Sequence, residues 1–449
     1  MNLRTALRLQ PHAVVAFVGG GGKTSLMFRL AAEIVAGGGR VITTTTTRIF
    51  ANQIGLAPHH IALADHGQLP AAFAAQLAGH AHVLVTGPVD EAAGKAFGVA
   101  PQIVSELVRT GVDAVLVEAD GSRMRPLKAP AEHEPVIPAC STHVVAVVGA
   151  DVFGKLLVED SVHRADRAAV LANASLGQPV THEMAAAILA HPLGGRKGVP
   201  ASAHWTAFIN KVESAEQLLA ARALAERLLE AYGLPAVLGS ARQIDPVCER
   251  VEPVAVVILA AGASSRMAAL GVPKPLLAWG KGSLLTRAAD AALRIGSTQT
   301  YVVVGNLSGP VQQVLGTRKI QLVPNERWQA GLSTSVAAAL RALNSGTGAA
   351  IFLPVDLPHV CTELLAALIA LHRSSGAMVV APRVDGRRAN PVLFDRALFP
   401  ELLEQRGDVG GRAVADKYAA QTEWVDWSAD ILQDIDTPED YEALRPAPY

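Results

Sequence analysis

Two short apolar runs, Ala13–Val18 and Val254–Leu259, each lead directly into a glycine-bearing turn. Runs that are β-branched and apolar at every position, rather than at alternate ones, read as parallel strands covered on both faces. A helical pattern follows each turn. Leu26, Leu30 and Ile34 share a face in the first, and Leu284–Ile295 is Ala/Leu-rich with polar residues interspersed in the second. Further strand candidates recur between helical stretches at Val41–Thr43, Val83–Val85, Ala114–Val117 and Val144–Val148. In the second half they fall at Thr300–Val304, Ala350–Leu353 and Met378–Ala381. This alternation predicts two α/β domains. The Pro- and charge-bearing stretch Asp245–Pro253 sets the boundary, giving domains over 1–245 and 253–449 with no residue-level repeat between them.

Composition narrows the classes. Half of the 449 residues are hydrophobic and only 18% are charged, which argues against a disordered chain or a long coiled coil. The net charge is −1 with no long run of one sign, so neither nucleic acid nor an anionic membrane is expected as the main partner. Anion binding must then come from local sites. Cys140, Cys248 and Cys361 lie far apart without a CxxC pair, as expected in a reducing compartment. The N-terminal stretch lacks the apolar core and cleavage site of a signal peptide, and no apolar run approaches membrane-span length. A soluble, cytoplasmic protein is expected.

In the second domain the turn reads LAAGASSRM over 259–267, followed by KPLLAWG over 274–280. A glycine turn at a strand end lets backbone N–H groups approach a triphosphate, and Arg266 and Lys274 can neutralise it. Asp356, in LPVDLP, closes an apolar strand, and Asp436 lies in DIDTPEDY. One or two carboxylates plus substrate phosphates are the usual Mg²⁺ environment, so these two aspartates form a candidate metal pair. The alternative for Asp436 is the N-cap of a helix opening at Thr437-Pro438, and both roles can hold if different oxygens serve each.

These pieces resemble the molybdenum cofactor nucleotidyltransferases, the MobA/MocA-like family. Asn325…Trp328…GLSTS, RRANPVLF over 387–394 and GDVGGR over 407–412 extend the likeness across the domain. The resemblance implies a Rossmann-like nucleotidyltransferase α/β sandwich that joins the terminal phosphate of Mo-molybdopterin to the α-phosphate of CTP or GTP and releases pyrophosphate. It also implies nucleotide binding by Leu259, Ala260, Ala261, Gly262 and Ser264, with Arg266 and Lys274 on the triphosphate. Asp356 and Asp436 would be Mg²⁺ ligands, and Ser333, Ser335, Asn390 and Asp408 would face the acceptor. LAAG resembles the cytidylyltransferases, whereas LAGG marks guanylyltransferases. The methyl of Ala261 narrows the pocket toward a pyrimidine, favouring CTP. The residues 268–273 between Arg266 and Lys274 lengthen the loop as in sugar-phosphate and methylerythritol-phosphate nucleotidyltransferases, so a sugar or polyol phosphate acceptor stays open.

In the first domain Gly19, Gly20, Gly21, Gly22, Lys23 and Thr24 follow the opening strand and precede a helix. Phe17 stands where a full Walker A motif has its first glycine, but the shorter GxxGK[ST] form keeps the mechanism. Backbone N–H groups cradle phosphate, Lys23 reaches an oxygen, and Thr24 can hold Mg²⁺. This predicts a P-loop-like α/β domain binding ATP or GTP. Thr44, in a threonine-rich strand end, is a candidate for facing the γ-phosphate. Glu118 and Asp120 close a Walker-B-like strand, and Arg123, Arg125 and Lys128 form a basic loop beside it. Glu132-His133-Glu134 and His163 lack i, i+4 ligand spacing and a third partner, so histidine here reads as packing or surface.

GGGGKTS, TTTTTR, EADGSRMRPLKAP and EHEPVIP resemble the YqeC-like family, described as accessory proteins of selenium-dependent molybdenum hydroxylases. The combined expectation is a cofactor maturation factor whose client is an apo molybdenum hydroxylase. The opposing expectation is a cofactor-binding chaperone in which both nucleotide sites are regulatory.

Overall fold

Apolar strands alternate with helices along the chain to build two main sheets, one in each of two units, Met1–Val251 and Glu252–Tyr449. The computed structural model describes residues 1–262, 265–296 and 298–446.

The main sheet of the first unit has nine strands: β1 (Ala13–Gly19), β2 (Val41–Thr45), β3 (His60–Ala62), β4 (His82–Thr86), β5 (Ala114–Glu118), β6 (His143–Gly149), β7 (His204–Asn210), β8 (Ala236–Gly239) and β9 (Val247–Val251). Their spatial order is β9-β8-β7-β6-β1-β5-β2-β4-β3, parallel throughout except for the β8–β9 pair. Residues on both faces of β1, β5 and β6 are buried, which is why these strands read as unbroken apolar runs. Helix α1 (Lys23–Ala36) packs Leu26, Leu30 and Ile34 against Val15, Phe17 and Leu116. The stretch expected to be a linker is partly strand. Val247–Val251 pairs antiparallel with β8, closing the first sheet, so the unit extends to 251. Its charged residues disguise it: Glu249 and Arg250 are buried yet paired within an edge strand.

The main sheet of the second unit has eight strands: β10 (Val254–Leu259), β11 (Thr298–Val304), β12 (Gln321–Pro324), β13 (Ala349–Pro354), β14 (Val379–Val384), β15 (Arg387–Arg388), β16 (Val392–Asp395) and β17 (Thr422–Asp426). The order β12-β11-β10-β13-β16-β14-β15, with β17 on β14, makes a mixed sheet. β10 is parallel to both β11 and β13, while β16 runs antiparallel between β13 and β14. Core clusters lie on both faces, one built on Val256, Ile258 and Leu285 and the other on Val257, Phe352 and Phe394. α2 (Leu284–Leu293) matches the sequence reading and opens with a Ser283–Thr286 capping box. Among the described residues, no helix is long and apolar enough to cross a membrane.

Candidate functional site

In the second unit β10 ends between β11 and β13, where an α/β sheet opens a crevice at the carboxyl ends of its strands. The Ala260 N–H donates to Val303 O (3.0 Å) and the Val355 N–H to Leu259 O (3.3 Å), tying the turn to both neighbours. Beyond the turn, the Lys274 ammonium sits between two carboxylates, 2.8 Å from Asp356 Oδ2 and 2.9 Å from Asp436 Oδ1. Arg266 Nη1 reaches Asp436 Oδ2 at 2.6 Å. Four residues from three chain segments thus converge on one point. Burial alone would lower the Lys274 pKa, but Asp356 and Asp436 outweigh it and hold the ammonium above its ordinary value. The hydrogen bond from Lys274, aided by Arg266, holds Asp436 below the usual carboxylate range. Burial, then the neighbouring charge of Asp436, pushes Asp434 up.

Asp436 is not the helix cap. Thr437 caps α4 (Pro438–Leu444), accepting from the Asp440 N–H, while Asp440 Oδ2 accepts from the N–H groups of Asp436 and Thr437. The neighbours satisfy the helix end and leave the Asp436 carboxylate to the two cations.

A cavity of about 480 Å³ opens here, lined by Ala261, Gly262, Arg266, Lys274, Ser335 and Asp436, with Trp328 and Gln329 on its wall. Helix α3 (Leu332–Ala342) begins at this cavity. Gly331 precedes it at φ +104°, and a Cβ there would lie 2.5 Å from Gly407 C and 2.8 Å from Asp408 Oδ1. Only glycine allows that approach, and Asp408 Oδ1 accepts from the Leu332 N–H (3.2 Å). Asn325 fixes the other side, donating to Thr334 Oγ1 (2.9 Å) and Ser335 Oγ (3.0 Å).

A second cavity of about 730 Å³ shares Leu332 and Asp408 with the first. Phe352, Phe394 and Trp424 line it together with Arg387, Arg388 and Arg412, and Arg388 pairs with Asp416 of the same cavity (2.7 Å). Asn390 lines it, and so does Leu259, which sequence reasoning had put on the nucleotide side. Two further expectations do not reach either cavity. The Ala260 methyl points into the core, 1% exposed, and Ser333 is buried without lining either space. Ser264 lies outside the described residues. The arginines and Trp424 carry no short-range signal; they meet only because β14, β15 and β17 are brought side by side.

In the first unit the glycine run divides. The N–H groups of Gly19, Gly20 and Gly21 donate to Asp120 Oδ2 (3.1 Å), Val147 O (2.9 Å) and Arg125 O (2.9 Å). A Cβ at any of the three would strike backbone within 2.5 Å. They therefore form a closely packed turn, with N–H groups already occupied, rather than the phosphate cradle expected of them. Gly22, Lys23, Thr24 and Ser25 line a cavity of about 530 Å³ at the start of α1, together with Glu118. Thr24 donates to Glu118 Oε2 (2.7 Å), and burial leads the influences that raise the Glu118 pKa. Lys23 Nζ folds back to Gly19 O (2.7 Å) and Asp120 Oδ1 (3.2 Å).

Asp120 and Thr44 do not line this cavity. Asp120 is 2% exposed, its oxygens held by Gly19, Lys23 and Lys128. Thr44 is fully buried in β2 and donates to Val85 O (2.8 Å), because the strand continues through it instead of ending before it. In the basic loop, Lys128 is buried between Asp120 (3.0 Å) and Glu134 (2.8 Å) and Arg125 pairs with Asp160, leaving Arg123 at the cavity.

Among the described residues, one cluster of three possible metal ligands occurs: buried Glu252, His372 and Asp395. Glu252 precedes β10 and Asp395 pairs with Ala349 at the start of β13, so the cluster lies at the end of these strands opposite to the turn after Leu259.

The family model for the YqeC protein matches residues 15–166, and that for the MobA-like NTP transferase domain matches residues 256–422. The protein YqeC of Escherichia coli (strain K12) is 35% identical over 223 residues, 48% of this chain and 82% of that protein. Nicotine blue oxidoreductase of Paenarthrobacter nicotinovorans is 29% identical over 191 residues, 41% of this chain and 92% of that protein. Among solved structures, a homolog of Mycobacterium tuberculosis Rv0371c from Mycobacterium sp. strain JC1 is 28% identical, covering 42% of this chain and 94% of that one with a TM-score of 0.38.

Proposed function

Because the chain belongs to the YqeC family through its N-terminal unit and joins it to a MobA-like NTP transferase domain, we propose that it matures the molybdenum cofactor. The C-terminal unit is a nucleotidyltransferase of the MobA-like type. In this reading it transfers CMP from CTP to the terminal phosphate of Mo-molybdopterin. The observation that carries the reading is the Lys274 ammonium held between Asp356 and Asp436 at the mouth of one cavity, with an aromatic- and arginine-lined cavity adjoining it through Leu332 and Asp408.

An oxygen of the acceptor phosphate forms a bond to the α-phosphorus as the bond from that phosphorus to the β-bridging oxygen breaks. Pyrophosphate leaves with the electron pair. The acceptor oxygen is already ionised, so no base is required, and positioning and charge neutralisation carry the catalysis. Lys274 and Arg266 take the triphosphate, and the start of α3 borders the same space through Leu332 and Ser335. The donor set fits Mg²⁺, since Asp356 and Asp436 already close on one cation from separate chain segments. When bound, Mg²⁺ would neutralise the triphosphate and polarise its α-phosphorus. Ala261 lines the nucleotide cavity, 6% exposed, and its methyl favours cytosine over a purine. The aromatic side chains and the arginines of the second cavity suit a ring-bearing phosphate better than a sugar or polyol phosphate.

The N-terminal unit binds ATP or GTP in this reading. Gly22 and the first turn of α1 take phosphate, and Thr24 with Glu118 provides the place for Mg²⁺. Its role is accessory, serving delivery of the cofactor to an apo molybdenum hydroxylase.

The test is incubation of the chain with Mg²⁺, Mo-molybdopterin and CTP, GTP or ATP in turn, with pyrophosphate and dinucleotide measured. Dinucleotide with CTP is expected. Cofactor binding without product would replace the enzyme by a chaperone, and turnover only on another phosphorylated acceptor would move the substrate.

A further inference from the structure

In the first sheet β1 lies between β5 and β6, and β7 and β8 follow beyond β6. Thr24 and Glu118 meet at the end of β5, on one side of the glycine turn. The strand Arg48–Phe50 comes in on that same side, where Gln53 Nε2 donates to Thr24 Oγ1 (3.3 Å). On the other side the chain leaves β7 at Asn210 and β8 at Gly239, and each exit sends a cation to the cavity, Lys211 and Arg242. Lys211 pairs with Asp151 (3.0 Å), and Arg164, which also lines the cavity, pairs with Glu134 (2.8 Å). A nucleotide with its phosphates on residues 22–25 and its metal toward Glu118 therefore has the exits of β7 and β8 left for its base.

Both exits are locked to the glycine turn. Asn210 is 3% exposed; its Nδ2 donates to Gly21 O (2.8 Å) and its Oδ1 accepts from the Ala241 N–H (3.1 Å). A Cβ on Gly22 would lie 2.7 Å from Asn210 Nδ2, so glycine is what admits this amide. The Val212 N–H donates to Gly239 O (3.0 Å), and Arg29 of α1 donates to Ile244 O (2.6 Å). One buried amide thus joins the turn and the two exits.

Between Lys211 and Arg242 stands Glu213. Its side chain is exposed, yet it is aimed by a buried hydroxyl: Ser240 Oγ donates to Glu213 Oε1 (2.8 Å) and accepts from the Arg242 N–H (3.3 Å). The following helix, Ala215–Tyr232, does not use this carboxylate. Ser214 caps it by accepting from the Gln217 N–H (3.2 Å), and Gln217 Oε1 accepts from the Glu213 N–H (2.8 Å). No cation pairs with Glu213 among the described residues, and Ser240 occupies only one of its oxygens.

A fixed carboxylate offers acceptors only. Guanine presents two adjacent donors, N1–H and N2–H, that the two oxygens of one carboxylate can take together. Adenine presents a lone pair at N1, which a carboxylate repels. We propose that the nucleotide of the first unit is a guanine nucleotide, and that Glu213 reads its base by accepting from N1–H and N2–H. Asn210 and Ser240 are positioning residues, and Lys211 and Arg242 flank the base. The proposal rests on the P-loop-like reading of residues 22–25 and narrows it from ATP or GTP to GTP.

Hydrogen–deuterium exchange on the full chain with Mg·GDP, Mg·ADP or Mg·XDP tests this, read at 20–26 and 210–214 so that binding by the C-terminal unit is not counted. XDP, xanthosine diphosphate, carries a carbonyl where guanine carries its N2 amino group. Mg·GDP is expected to protect both segments at a concentration about tenfold or more below that of Mg·ADP. In Glu213→Gln the carboxamide still accepts from N1–H but turns an N–H toward N2. GDP should then weaken about tenfold or more, and XDP should bind more tightly than GDP. Glu213→Ala, at the same exposed position, should lose the preference for GDP over ADP without gaining one for XDP. Equal protection by Mg·GDP and Mg·ADP would overturn the base assignment and leave the nucleotide site standing. Loss of GDP in Glu213→Gln with no gain for XDP would also overturn it, making Glu213 a tie between two loops. No protection at 20–26 by any of the three would instead overturn the P-loop-like reading on which the proposal rests.

Discussion

An ammonium wedged between two carboxylates couples three charges, so removing one acid changes the position of the others. Asp356→Ala takes away one side of the Lys274 clamp and one Mg²⁺ donor. Lys274 keeps Asp436, and Asp356 is a quarter exposed, so folding should survive. Pyrophosphate release is expected to fall at least about 10²-fold, with an unchanged melting curve. Full activity in that variant would remove the metal role. Ala261→Gly acts on choice rather than rate: deleting one methyl from the cavity wall should cut the CTP/GTP ratio of kcat/KM by about tenfold. A ratio that stays put would take base selection away from this position. In the other unit, Lys23→Ala should weaken ATP and GTP binding, measured by calorimetry. Cytidylyl transfer should be unchanged, since Lys23 belongs to a different sheet and cavity.

Elements decide how these residues are aimed. The start of α3 is set by Gly331, by Asn325 beneath it and by Asp408 across from it. Gly331→Ala would force a side chain into a φ of +104° and against Gly407. The expected outcome is a loss of about 2 kcal/mol in urea unfolding together with a fall in kcat/KM as the helix start shifts. A fully stable and fully active variant would show that this approach is not needed. The strands that frame both sites were legible because β1, β5, β10 and β13 are buried on both faces and so lack polar interruptions. Val247–Val251 was not, since Glu249 and Arg250 mimic a linker until their partners Arg222 and Thr5 are in place. The glycine run was read as four equivalent residues. Its division between turn and cavity depends on Val147, Arg125 and Asp120, which local sequence cannot bring near. Arg266, Lys274, Asp356 and Asp436 could be found from strand-end position and motif order, whereas Arg164, Lys211 and Arg242 carry no such mark.

At the scale of the whole molecule, the two units should respond differently to acid. In the first, burial lowers the pKa of His82 and of His143 from 6.5 to about 4. The unfolded chain therefore binds more protons than the folded unit between pH 6.5 and 4, so each histidine contributes stability above 6.5 that is lost as pH falls through that window. Glu33 and Glu118, whose pKa values are raised with burial as the leading cause, act in the opposite sense as the pH approaches their range. In the second unit the Lys274 shift lies above 10.5 and the Asp436 shift below 3.8, outside the window, and the raised Asp434 does not destabilise on acidification. Lowering the pH from 7 to 5 should thus weaken the first unit selectively. His82 isolates the effect, because it is buried beside Thr43 with a ring contact to Phe28 and no carboxylate among its pKa influences. His82→Gln removes a titration worth about 2 kcal/mol over that interval. Native-state hydrogen exchange in β4 should then slow down relative to the parent at pH 5 more than at pH 7, after correction for intrinsic rates, while exchange in β10 follows the same pH dependence in both proteins. Equal pH dependence of β4 in parent and variant would mean that His82 is not the buried neutral group its surroundings make it.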